Sequence, residues 1–246
     1  MGKKYANSPI IETVCEFRLP PDSKWDLTIP GLVYEKICDE FPNKEQRLIQ
    51  EIDLKHGPEG VEQQIHTNER ILFLTENRKT FIQVGTHLLA VNCLKPYPTW
   101  NKFKPSIEKA FKALSETIVI NTFQRIGLRY INRIEIPGQS VKLEDYFEFR
   151  PFLGKDLPQN MADFIVGGVL QFHDGRDSCR VQLSKAVPEK PNNVSFLLDF
   201  DFFLAKSQTV SIKQALEWVD NAHQEVEKIF EGCINDRLRE IFQELK

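Results

Sequence analysis

The sequence predicts an α+β fold: a duplicated strand-helix-strands-helix unit, a mainly antiparallel sheet and a long C-terminal amphipathic helix. Three observations carry this. Most apolar runs are short and alternate with period two, as half-buried strands do. Only a few segments place apolar residues at helical spacing. The same order of elements recurs on either side of residue 120, so units 1–120 and 121–246 are expected to fuse into one compact domain. Strands in clusters rather than in strict alternation with helices favour α+β over a parallel α/β sheet.

From Pro9 to Leu19 the residues Ile11, Thr13, Cys15, Phe17 and Leu19 point one way, and Glu12, Val14, Glu16 and Arg18 the other. That is a strand with one wetter face, ended by Pro20 and Pro21. Leu32, Val33, Ile37 and Phe41 then recur at helical spacing before Pro42. Three β-rich runs follow, at Leu48 to Leu54, Glu69 to Val84 with a turn near Glu76-Asn77, and His87 to Leu94. Gly57-Pro58-Glu59-Gly60 and Gly85 punctuate them, which reads as a meander. The segment Lys104 to Val119 closes the first half as a helix, with Pro105 near its start and Ile107, Ala110, Phe111, Leu114 and Ile118 on one face.

The second half opens on a long strand from Thr122 to Ile136, then the Pro137-Gly138 turn and a helical patch from Leu143 to Phe149. Strands are expected at Phe164 to Phe172 and Ser178 to Leu183 around Asp174-Gly175, and at Val194 to Leu204 after Pro191-Asn192-Asn193. The last element begins at a capping box, Ser211 with Gln214, and its apolar stripe runs to Leu245. An unbroken helix of that length spans roughly 50 Å at 1.5 Å per residue. It is therefore either broken near Gly232 or reaches past the domain to a partner.

A net charge of −3 argues against nucleic-acid binding by bulk charge, although a local basic stripe remains open. The five cysteines, Cys15, Cys38, Cys93, Cys179 and Cys233, are odd in number, scattered and without a Cys-x-x-Cys pair. They read as small buried hydrophobes in a reducing compartment, hence a cytoplasmic protein. No run approaches the 18 or so apolar residues of a membrane span, and no signal-peptide core follows the N-terminus. His56, His66, His87, His173 and His223 show no metal-binding spacing, and no nucleophile elbow, P-loop or dinucleotide turn occurs. No metal and no cofactor are expected.

Tyr5, Asn7, Pro9, Ile10 and Glu12 with Glu16, Pro96-Tyr97 with Trp100, the run Arg125-Ile-Gly-Leu-Arg129-Tyr-Ile-Asn132-Arg133, and Asp199 with Asp201 together resemble a sporadically distributed family of prokaryotic proteins of similar length. The resemblance covers nearly the whole chain. It implies a context on mobile or defence-related cassettes and no particular chemistry, since no activity, cofactor or catalytic residue is established for that family.

Among candidate sites, Arg125, Arg129 and Arg133 share one strand face with Gly127 and Ile131 between them, while Asn132 interrupts the apolar face. Such a stripe, about 26 Å long at 3.3 Å per residue, suits phosphates or an acidic partner. The competing structural reading is that Glu12, Glu16, Asp199 and Asp201 on neighbouring strands meet these arginines across the sheet. Gly127 marks a bulge or a close approach by a ligand or another backbone. The four carboxylates could instead hold a divalent metal, but cross-strand pairing is the commoner use. Tyr97 and Trp100, with Phe103 and Phe111, either cap a groove or close the core.

These readings give three functional expectations. The first is a non-catalytic module that binds a protein partner through a sheet face or the terminal helix, the partner being an effector, toxin or nuclease encoded alongside. The second is nucleic-acid or nucleotide binding through the arginine stripe. The third is a metal-dependent phosphodiesterase using Glu12, Glu16, Asp199 and Asp201.

Overall fold

The computed structural model describes residues 3–57, 60–158 and 161–245, and only the backbone at 49–57 and 60–68. The first half runs β1 (Lys4–Tyr5), β2 (Ile10–Arg18), α1 (Ile29–Glu35), β3 (Asn43–Gly57), β4 (Gly60–Leu74), β5 (Thr80–Gly85), β6 (Leu88–Leu94) and α2 (Trp100–Ser115). The second runs β7 (Arg125–Pro137), a 3-10 turn (Leu143–Asp145), β8 (Ile165–Phe172), β9 (Asp177–Ala186), β10 (Asn193–Leu204), α3 (Ala215–Cys233), α4 (Asp236–Phe242) and β11 (Glu244–Leu245). The turn anticipated at Pro58-Glu59 lies outside the described residues.

Nine strands form one antiparallel sheet in the order β3-β4-β5-β6-β2-β7-β10-β9-β8. The alternation explains why α1, α2 and α3 lie on one side. Following the pairing register from β4 to β9, Phe73, Ile82, Val91, Cys15, Leu128, Phe202 and Cys179 form one buried row. Tyr34 of α1 meets Phe73, Phe111 of α2 meets Phe17, and Trp218 of α3 meets Phe202, with ring centroids 5.0, 4.9 and 5.7 Å apart. Each large side chain so buried contributes roughly 1.5–3 kcal/mol. The two halves join edge to edge through β2 and β7, whose register slips at Ile11, leaving a bulge there. The strand bulge is thus on β2, and the register is continuous through Gly127.

β3 and β4 outrun the sheet. β4 pairs with β5 only from Arg70 to Leu74, and beyond it β3 and β4 continue as a two-stranded ribbon. The charge-rich composition of that stretch hid its full strand length. α2 begins five residues before Pro105, which sits inside the helix rather than at its start.

The C-terminal helix does not run to Leu245. α3 opens as expected, with Gln214 Oε1 accepting from the Ser211 backbone N–H at 3.2 Å and from its hydroxyl at 2.7 Å. It ends at Cys233 because the segment around Phe147 bonds to it there: Glu148 N–H donates to the Cys233 carbonyl and Asn235 N–H to that of Tyr146. Asn235 then caps α4, its Oδ1 accepting from Arg237 N–H. Arg239 satisfies orphaned carbonyls of the ending helix, those of Glu231 at 2.7 Å and Ile234 at 3.1 Å. Leu238 and Phe242 of α4 are buried, and Phe242 meets Tyr5. The terminal helix therefore does not project toward a partner, and among the described residues no helix is long and apolar enough to cross a membrane.

Four cysteines are buried as expected, with burial pushing the Cys179 and Cys233 thiols up to about 12. Cys38 departs from that reading: it follows the short α1 and is exposed.

Candidate functional site

The arginine stripe is where the sequence places it, on the face of β7 opposite the helices, but the charges of Arg125 and Arg129 are spent within the sheet. Arg125 donates to Glu16 on β2 at 2.8 Å and to Asp201 on β10 at 2.7 Å. Arg129 donates through Nε to Asp199 at 2.9 Å. Glu16 pairs in register with Gly127, Asp199 with Ile131 and Asp201 with Arg129, so Arg125 leans two residues along the strand to reach Glu16 and four to reach Asp201, and Arg129 leans two to reach Asp199. Arg133 contacts Glu189 at 3.4 Å and the Val187 carbonyl at 3.3 Å. Burial pushes the Glu16 carboxyl up, but Arg18 and Arg125 outweigh it and hold it below the ordinary carboxylate range.

Gly127 belongs to this arrangement. A Cβ there would lie 2.2 Å from a guanidinium nitrogen of Arg125, so the close approach is by the neighbouring arginine and not by a ligand or another backbone. Asn132 is buried and donates to the Leu198 carbonyl at 3.0 Å, which makes it a strand-pairing residue. The four carboxylates are not gathered around one point. Glu12 accepts from Asn92 at 2.7 Å, and Asn92 accepts from Gln83 at 2.7 Å, extending the polar network over β5, β6 and β2. Among the described residues no three His, Cys, Asp or Glu side chains could share a metal ion. A depression of about 130 Å³ lies between Arg129, Arg180, Gln182, Asp199 and Asp201.

Tyr97 and Trp100 lie on the other face, over the seam between the two halves. The Trp100 ring stacks on His223 with centroids 4.2 Å apart, and Tyr97 meets Tyr130 edge-on at 6.1 Å. The Tyr130 hydroxyl and His223 Nδ1 share a hydrogen bond of 2.9 Å. Burial raises the phenols of Tyr97 and Tyr130 well above their ordinary value, so neither is a base near neutrality. The cluster closes the core between α2 and α3.

The surface that sequence reasoning missed is β8. It is an edge strand, and none of its eight residues is charged. Phe172 packs on Phe202 and Phe164 on Phe196, which pins both ends to the core. Between them Ile165 and Val169 on one face and Leu170 on the other are 72%, 55% and 45% exposed.

The exposure has a structural cause. In the first half α1 covers the outer strands, and the apolar row ends under Tyr34, with Lys44 of β3 placed 4.3 Å over that ring. In the second half the corresponding crossover is only a 3-10 turn, with Phe147 tucked against Phe196. The same row therefore ends on Leu170 in the open. The signal available in the sequence was a charge-free strand with Gly167-Gly168 at its centre. What could not be read was its place at an uncovered edge. No protein-family model and no curated protein matches this chain.

Proposed function

We propose that this chain is a protein-binding module whose docking surface is the open edge of the sheet at β8. The observation that carries the reading is an exposed, uncharged edge strand over which no helix lies among the described residues. An edge strand presents a row of unpaired N–H and C=O groups that another strand can complete, with affinity from the main chain and selectivity from alternate side chains. Natural edges are normally blunted by charge, proline or a covering element, and β8 has none of these among the described residues. The ion-paired arginines support this over the phosphate-binding alternative, since a phosphate would have to displace Asp199, Asp201 or Glu16 from its guanidinium.

The test is affinity purification of the tagged chain and of Val169→Lys from their native host at low salt, with co-eluting components identified by mass spectrometry and ultraviolet absorbance. The expected result is a stoichiometric protein held by the wild type and lost by the variant. Nucleic acid that elutes with both, with affinity falling steeply in salt, would instead move the reading to Arg125, Arg129 and Arg133.

A further inference from the structure

We infer that the strand completing the β8 edge is β8 of a second copy of this chain, paired antiparallel across a two-fold axis near Gly168. This rests on the reading of β8 as a docking edge and names the occupant.

Three observations favour a second copy. The first is self-complementarity. A two-fold axis perpendicular to a sheet sets each residue opposite one on the same face, so an axis through Gly168 places Val166 opposite Leu170 and Gly167 opposite Val169. Val166 and Leu170 then face each other and Val169 faces Gly167, while Ile165 meets the uncharged Gln171, with no charge to bury and the smallest residue at the axis. The second is the contrast between the two edges. The sequence of β3 carries Lys44, Glu45, Arg47, Glu51, Asp53 and Lys55, and Glu45 is ion-paired with Arg47 at 2.7 Å and with Arg78. Joining β8 of one copy to β3 of the next would cover those charges and build an open-ended filament. Pairing β8 with β8 closes the assembly and leaves only the charged β3 edges outside.

The third is the apolar row. Leu170 ends it half-exposed in each protomer, and the pairing joins the two rows through the Val166 and Leu170 positions of both copies. Among the described residues no backbone group from 165 to 171 bonds to anything but β9, so the outer side of the strand is available.

Eight residues at about 3.3 Å each make an edge of about 26 Å. With a sheet thickness of roughly 10 Å the edge offers about 260 Å², small beside the roughly 800 Å² per partner of a standard interface. The dimer is accordingly weak and concentration-dependent, and an equilibrium method is needed to see it.

Sedimentation equilibrium of the full chain over a wide concentration range is the experiment, with Val169→Lys and, at the opposite edge, Leu48→Lys as comparison. Both substituted positions are exposed, and thermal unfolding checks that both variants fold. The expected result is a monomer–dimer equilibrium weakened at least tenfold by Val169→Lys and unchanged by Leu48→Lys. A wild type that stays monomeric throughout, a dimer indifferent to Val169→Lys, or masses that climb past the dimer would each overturn the inference. If the wild type is monomeric while a protein co-purifies in a Val169-dependent way, only the second-copy assignment fails. If neither is seen, the docking reading fails with it.

Discussion

Replacing Asp177 with alanine is expected to cost about 3 kcal/mol of folding stability. Its carboxylate, 1% exposed, opens β9 beneath α3 and accepts from Trp218 Nε1 at 2.8 Å, from Arg176 at 2.6 Å and from His173 Nδ1 at 2.8 Å. Arg176 and His173 are partly exposed and regain water when the carboxylate is removed, so their share of the loss is small. The Trp218 N–H is buried and gains nothing in return. An orphaned buried donor is the costly part, and its loss also loosens α3 from the β8–β9 hairpin. Asp177→Asn keeps an acceptor for Trp218 and should lose only a minor part of this. Urea denaturation of the two variants measures this; equal losses for alanine and asparagine would show that Trp218 is not what Asp177 holds.

Arg125→Met carries the second large effect, a loss of about 2 kcal/mol. The guanidinium lies between Glu16 and Asp201, whose side chains are only 15% and 19% exposed. Its removal leaves Asp201 without that guanidinium and Glu16 held by Arg18 alone, both carboxylates being poorly solvated. Breaking a fully buried pair costs more, but Arg125 is 27% exposed and the figure is discounted for screening. Adding Glu16→Gln and Asp201→Asn to Arg125→Met should recover most of the loss.

The pH dependence follows in sign. Glu16 is held below the ordinary carboxylate range in the folded chain. Its contribution is therefore fully present above the unfolded value, about 4.3, and is lost as pH falls through the lower folded value. The wild type should lose stability over that acid window more steeply than Arg125→Met. Parallel curves would contradict the ion pairing.

Much of this architecture was legible in the chain because burial leaves a periodic trace. The alternation of Ile126, Leu128 and Tyr130 with Arg125 and Arg129 marks a strand with its two faces, and the carboxylates that meet those arginines carry the matching alternation. Which reading of the stripe holds depended on strand order, and that is set by contacts between residues far apart in sequence. The same is true of the end of α3. The apolar stripe continues in phase through Ile234, and only the docking of residues 144–149 interrupts it. β8 was visible as a strand, but its exposure comes from a crossover that forms only a 3-10 turn among the described residues, which leaves no mark on the strand's own pattern.

The most direct measurement is amide hydrogen exchange across β8, resolved by residue and followed with protein concentration. With an open edge that takes a strand, N–H groups of residues 165–171 directed away from β9 exchange with little protection in dilute protein and become protected as concentration rises. Those directed toward β9 are protected throughout. Protection of the outward set already at the lowest concentration would mean that the edge is covered within one chain, and would contradict a docking role for β8.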